Sequence, residues 1–226
     1  MKEVQELLSD YRDHSDASNA AVMTAYLKDR FSHFGIKTDR RRELCKPFFE
    51  SGKNWDRKKV VEVARHLYTC PQRECHHAAV ELLEKRLKPN ELVPADIEQF
   101  EWFIVNNSWW DTVDFVAYKL CGPWFTKFPD ERRRMVDRWF KSQNFWLIRS
   151  AILFQLKYKD KTDLDFLFEI ILFCQGAKEF FINKAIGWML RENSKRIPNE
   201  IGTFVRKNEG KLAPLAVREA MRIIGK

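Results

Sequence analysis

Apolar residues recur along this 226-residue chain with the spacing of helices, and no convincing run alternates with the spacing of strands. Val60, Val61, Ala64, Leu67 and Tyr68 follow i, i+3, i+4, i+7, and so do Ala78, Ala79, Leu82, Leu83 and Leu87. Leu7, Leu8 and Tyr11 open the pattern, and Val22, Ala25, Tyr26 and Leu27 continue it behind Ser18, which reads as a helix cap. The prolines punctuate helices: Pro71 just inside a start, Pro89 after an end, Pro198 and Pro214 near first turns. Only 8 Gly and 8 Pro occur, and Asn-Gly hairpin signals are missing, which argues against a sandwich or barrel of short strands. The expectation is an all-α chain of roughly a dozen helices, each about 10–16 residues long.

A longer period underlies the short one. Small or apolar residues mark mid-helix positions at Ala79, Phe115, Ala151, Ala185 and Ala220, in steps of 36, 36, 34 and 35 residues. A step near 35 corresponds to one helix pair per unit, stacked into a solenoid. Chance spacing of alanines in a helical protein is the competing explanation.

Composition narrows the class. An aromatic content of 14% excludes a disordered chain. No apolar run reaches the length of a membrane span, and MKEVQELLSDYRDHSD has no signal-peptide character, so a cytoplasmic protein is expected. The absence of any Pro/Ser-rich linker suggests one domain over residues 1–226. The five cysteines, Cys45, Cys70, Cys75, Cys121 and Cys174, are odd in number and scattered, so they should be reduced and buried. The formal charge of +8 suggests an acidic partner, with nucleic acid the foremost candidate.

Three segments could carry chemistry. In NNSWWDTVD (106–114), Ser108-x-x-Asp111 reads as a capping box, which accounts for Asp111. Asp114 lies four residues after Trp110 and shares its helix face. A carboxylate beside an indole on an apolar face is unusual; a surface Asp or a structural pair with an Arg would also explain it. In NFWLIRSAILFQLKYK (144–159), Arg149 sits inside an apolar helix and must find an anion, either a carboxylate of the next repeat or a phosphate. Lys157 and Lys159 would end that helix, as phosphate contacts or as charges complementing its dipole. In KEFFINKAIGWMLR (178–191), Lys184, Trp188 and Arg191 share one stripe. That stripe fits either a phosphate-flanked pocket with an aromatic wall or a core Trp edged by solvated charges. Further basic clusters are Arg40-Arg41-Arg42 and Arg132-Arg133-Arg134 with Arg138. Cys70-x4-Cys75-His76-His77 lacks a second ligand pair at zinc-like spacing, so neither metal nor cofactor is expected. Gly-rich phosphate loops and nucleophilic-serine motifs are also missing.

Taken together, SWWDTVD (108–114), NFWLIRSAILFQLKYK (144–159), KEFFINKAIGWMLRE (178–192) and LAPLAVREAM (212–221) resemble the AlkD family of alkylpurine DNA glycosylases. The stretch around Tyr26 and FGIKTDRRRE (34–43) are similar as well, so the resemblance covers nearly the whole chain. It implies a right-handed α-solenoid of HEAT-like repeats with a concave basic face for duplex DNA. The implied catalytic carboxylate is Asp114, the active-site tryptophans Trp110 and Trp188, the active-site arginine Arg149, and a DNA-contacting tyrosine Tyr26. Departures at Thr112, Phe115 and Asn183 leave this set intact. Further DNA-contact candidates are Arg41, Arg42, Trp109, Lys157, Lys159, Lys178, Phe180, Phe181, Lys184, Arg191 and Arg218.

The implied reaction, in base excision repair, is hydrolysis of the N-glycosidic bond of N3- and N7-alkylated purines such as 3-methyladenine and 7-methylguanine. A 7-alkylpurine is already cationic, so departure needs no general acid. An Asp of ordinary pKa near ~4 would be ionised at neutral pH and could stabilise the developing oxocarbenium and orient water. Each indole face would add about 0.5–2 kcal/mol of cation–π attraction. The resemblance further implies a lesion left largely in the base stack. The lack of a Schiff-base lysine in the matched motifs points to a monofunctional enzyme. The expected partner is double-stranded DNA carrying alkylated purines, bound by a monomer with no membrane and no metal involved. Two alternatives stay open: a non-catalytic HEAT-like binder of bent or branched DNA, and a scaffold whose face takes an acidic protein.

Overall fold

A computed structural model of the protein describes residues 1–224. Among these, every regular element is a helix, and the one β-type contact is an isolated parallel bridge between Ser32 and Gln72. The chain divides into two compact units, the first ending at Leu92 and the second starting at Val93. No helix is long and apolar enough to cross a membrane among the described residues.

The first unit holds α1 (Lys2–Asp13), α2 (Ala17–Tyr26), α3 (Thr38–Ser51), α4 (Arg57–Tyr68) and α5 (Arg73–Arg86). The periodic residues of α1, α4 and α5 are those the pattern marked: Leu7, Tyr11, Val60, Leu67, Ala79 and Leu82 are buried. Two buried acids on α5 tie down the chain before it. The Glu74 carboxylate accepts the backbone N–H groups of Phe34, Gly35 and Ile36 at 3.1, 2.9 and 3.1 Å. Gly35 must be glycine there: its φ is +86°, and a Cβ would lie 2.0 Å from the Asp16 carbonyl oxygen. Glu81 accepts from both terminal guanidinium nitrogens of Arg41 at 2.9 and 2.8 Å.

The second unit holds α6 (Asp96–Val105), α7 (Trp110–Val116), a π-helical turn (Ala117–Cys121), α8 (Gly122–Lys127), α9 (Arg132–Lys141), α10 (Phe145–Leu153), α11 (Leu164–Phe173), α12 (Phe180–Ser194), α13 (Pro198–Lys207) and α14 (Pro214–Ile224). Four of its helices carry the long-period markers, and in sequence order they pack on one another: α7 on α10, α10 on α12, α12 on α14. Ala151, Ala185 and Ala220 are fully buried at these contacts, where small side chains let helix axes approach. Tyr158 crosses one repeat step, donating its hydroxyl to the Gly122 carbonyl at 2.7 Å.

Several local expectations need correction. Asp16, not Ser18, caps α2, accepting the Asn19 N–H at 2.9 Å. Ser108 does not cap α7, because its hydroxyl turns back to the Ile104 carbonyl at 2.6 Å, one turn behind it on α6. The extended residue that precedes α7 is Trp109, which has no side-chain cap bond. Pro71 lies just before α5 rather than inside it, while Pro198 and Pro214 occupy first turns as expected. Helix α10 ends at Leu153, so Lys157 and Lys159 lie beyond it, and Lys159 begins a short 3-10 turn with φ +55°. Among the described residues the α-helices run from 6 to 15 residues, some shorter than periodicity suggested. All five cysteines are free thiols, four of them buried and Cys70 half-buried.

Gly187 on α12 leaves room for α14. A Cβ there would meet the Glu219 Cβ at 2.6 Å and the Ala216 Cα at 3.2 Å. Gly187→Ala should therefore lower stability by about 1–3 kcal/mol as overpacking, despite alanine's roughly 1 kcal/mol advantage within a helix. Chemical denaturation of the two proteins measures the difference.

Candidate active site

Asp114, Arg149 and the α12 stripe meet in the second unit. Asp114 is on α7 and Arg149 on α10; their side chains are 8% and 4% exposed. The guanidinium grips the carboxylate with two parallel bonds, Nε to Oδ1 and Nη2 to Oδ2, each 2.7 Å. Its remaining terminal nitrogen, Nη1, donates to the backbone carbonyl of Phe181 in the first turn of α12. One arginine thus joins three helices and leaves none of its three nitrogens unbonded. Of the two anions sequence reasoning offered Arg149, the structure supplies a carboxylate.

The pair is buried but not sealed. Trp110, Asp114, Arg149, Phe180, Phe181, Lys184, Trp188 and Arg191 line a cavity of about 380 Å³. Trp110 and Asp114 share their helix face as the four-residue spacing requires, and Lys184, Trp188 and Arg191 share theirs. Both indoles therefore stand in the same cavity as the carboxylate. Phe180, 56% exposed, stands at the rim. Burial pushes the Asp114 carboxyl up from its ordinary value, and Asp111 adds to this, while the bonds and charge of Arg149 pull it back without cancelling the rise. The ordinary carboxylate assumed from sequence is thus replaced by a more basic one. For an acid shifted this way, the stabilising contribution is full below the unfolded pKa and is lost as pH rises through the folded one. The ionised carboxylate is therefore a cost to folding near neutrality, offset by Arg149.

Other candidate residues fall elsewhere. Trp109 is buried, packed on Trp146 at 5.8 Å and on Phe181 at 5.1 Å, where it supports the cavity wall from behind. Lys157 is exposed above the Tyr118 ring at 5.7 Å, and Lys159, Lys178 and Arg218 are exposed. In the first unit Tyr26 is 69% exposed on α2 and Arg42 is exposed, but Arg41 is buried with both terminal nitrogens on Glu81. Arg41 thus serves as an internal anchor and presents no charge to a ligand. The other basic run is also paired: Arg132 with Asp163, Arg133 with Glu169, Arg134 with Glu131 and Arg138 with Glu101.

Sequence reasoning missed Glu219. This α14 residue is 6% exposed, yet its carboxylate takes Lys184 Nζ on Oε1 at 2.9 Å and Arg191 on Oε2. The hydrogen bond from Lys184 comes first among the causes that hold its carboxyl below the usual range, and burial opposes it. The signal was available: Glu219 lies 35 residues after Lys184, the same step that separates Arg149 from Asp114.

Comparison with known proteins bears on this site. The family model described as DNA alkylation repair enzyme matches residues 7–224, running through both units. A solved structure described as a predicted DNA alkylation repair enzyme from Enterococcus faecalis superposes with a TM-score of 0.85 at 30% identity, covering 94% of this chain and 97% of that one. A search of curated proteins gives no match.

Arg149→Met should destabilise the protein by about 3–5 kcal/mol at pH 7.5, since it leaves a buried carboxylate unpaired. The deficit should shrink as pH falls and Asp114 takes up a proton. Denaturation curves at pH 7.5 and pH 4.5 test both the size and the sign.

Proposed function

The chain belongs to the DNA alkylation repair enzyme family, and from that premise we propose that it is a monofunctional DNA glycosylase releasing cationic N3- and N7-alkylated purines from duplex DNA. One observation carries the reading: a single buried carboxylate and two indoles, Trp110 and Trp188, face one cavity. A carboxylate beside indole faces suits a cationic sugar, and Arg149, Lys184 and Arg191 in the same lining suit flanking phosphates. A 3- or 7-alkylpurine leaves as a neutral base once its glycosidic bond breaks, so positive charge passes from base to deoxyribose. Asp114 stabilises the sugar cation and orients the water that attacks it; the indole faces add attraction. Arg149 holds the carboxylate in one orientation before substrate arrives, which is the preorganisation such electrostatic catalysis requires.

The cavity's polar groups are charges suited to sugar and phosphate. It offers no Asn or Gln to read a base edge. That supports a mechanism in which the lesion stays in the stack while the backbone is engaged, in contrast to base flipping. Tyr26 and Arg42 in the first unit and Lys157, Lys159, Lys178, Phe180 and Arg218 in the second, all exposed, are the proposed DNA contacts outside the cavity. Glu219 already engages Lys184, and the matched motifs offer no other amine placed for a Schiff base; both support hydrolysis without strand cleavage.

Incubating the protein with duplex containing 7-methylguanine should yield free base and an intact abasic strand. Asp114→Asn should lower single-turnover release by about 100-fold or more, the usual scale for removing a preorganised electrostatic group, while retaining DNA binding. Binding that falls steeply with salt but yields no free base would favour a non-catalytic DNA binder instead. Because the carboxylate must be ionised and burial raises its pKa, kcat/KM should fall on the acid side with a midpoint above 3.8, the ordinary Asp value. A pH–rate profile locates that limb.

A further inference from the structure

The cavity holds an electrostatic hazard. Asp114, already paired with Arg149, must keep its remaining lone pairs open to a cationic sugar, yet Lys184 lines the same space with an ammonium on a flexible four-carbon stem. Lys184 follows Phe181 by one helical turn on α12, and the Phe181 carbonyl is already bonded to Arg149, which grips Asp114. Asp114, lining the same space, is thus an alternative partner to the carboxylate that Lys184 already binds, Glu219. In the structure Lys184 pairs with Glu219 at 2.9 Å, while both Asp114 oxygens are held by Arg149 and Asp111 of its own helix acts on the same carboxyl. On α6, which also packs against α7, Glu101 is bonded to Arg138 and Trp139, and Asp96 accepts the Val93 N–H. Glu98 is the remaining charged residue of that helix.

What restrains Lys184 is Glu219. Its carboxylate reaches α12 from behind, where Gly187 lets α14 come close enough for the Glu219 Cβ to occupy the space of a side chain. It then binds outward in two directions, to Lys184 on one oxygen and to Arg191 on the other, with Arg222 3.6 Å away. Its own side chain is 8% exposed, whereas Lys184 is 42% exposed, so the tether is buried and the tethered cation is not.

We propose that Glu219 is a positioning residue that holds Lys184 and Arg191 against α14 and so keeps the Lys184 ammonium from neutralising Asp114 before substrate binds. The inference deepens the glycosylase reading and rests on it for its catalytic consequence, but not for its electrostatic one. Glu219 touches no reacting atom; it acts by deciding which carboxylate Lys184 pairs with.

The test uses Glu219→Gln, which keeps shape and removes charge. In protein labelled with carbon-13 at aspartate carboxyls, the Asp114 signal, assigned by its loss in Asp114→Asn, is followed through a pH titration. Release of Lys184 toward Asp114 should move the Asp114 midpoint to lower pH in Glu219→Gln, because a nearby cation favours the ionised form. Single-turnover base release should fall roughly tenfold, with DNA binding retained and the acid limb of the rate profile displaced the same way. Adding Lys184→Met to Glu219→Gln should return the midpoint to its wild-type position and recover part of the lost rate. If Glu219→Gln fails to fold, Glu219→Asp, one methylene shorter, should show a smaller displacement in the same direction. An unmoved Asp114 midpoint in the folded variant, or one the double variant does not restore, overturns the proposal. Wild-type protein that releases no base overturns the proposed reaction instead, and the titration still decides the role of Glu219.

Discussion

The second unit is organised by one buried ion pair. Asp114 and Arg149 lie 35 residues apart on α7 and α10, and Arg149 reaches a third helix through the Phe181 carbonyl. Placing a charge in such an environment is costly unless the partner's geometry is near ideal. Here the bonds are parallel and short, so the orientation of α7, α10 and the start of α12 follows from satisfying one guanidinium. The apolar surroundings then do two things at once. Trp109, Trp146 and Phe181 form the support behind the pair, and the same exclusion of water raises the carboxyl's proton affinity. A titratable group held at a cost to folding beside a cavity is a candidate functional group.

The long sequence period acquires a physical meaning from these contacts. Asp114 and Arg149, and Lys184 and Glu219, are each 35 residues apart; Gly122 with Tyr158, and Arg133 with Glu169, are each 36 apart. Each of these cross-links therefore spans nearly the same length of chain as the step between the small-residue markers. The small residues at the same step let the helices approach, and the polar pairs fix their register. Glu219 repeats at the α12–α14 contact what Asp114 does at α7–α10, with its cations turned to the cavity wall.

Much of the fold was legible because helix periodicity is a local property. The buried faces of α1, α4 and α5 are those the spacing marked, whereas on α2 Val22, Ala25 and Tyr26 are exposed and only Leu27, just past its end, is buried; Pro198 and Pro214 start helices where the missing N–H costs nothing. Of the site, Asp114, Trp110, Arg149, Lys184, Trp188 and Arg191 could be singled out as residues whose chemistry conflicted with their surroundings, and all six line one cavity. Cap assignments at Ser18 and Ser108 failed because a hydroxyl has several backbone partners within reach, and the sequence does not rank them. Arg41 and Trp109 failed differently. Arginine and tryptophan serve equally well at a ligand surface and in a core, and Glu81 in one case and an aromatic cluster in the other decided it.

From residue order alone came a helical chain with a step near 35, its apolar faces, and a short set of charged and aromatic residues in unlikely company. Those properties depend on neighbours a few positions apart or on a repeating length, and both are written along the chain. Which carboxylate each cation would choose was settled only by the packed helices. Arg149 took Asp114, Arg41 took Glu81, and Lys184 took Glu219 across a contact that Gly187 opens. The reason is physical: an ion pair forms over a few ångströms of space, and only the tertiary structure brings residues 35 or 40 positions apart within that distance.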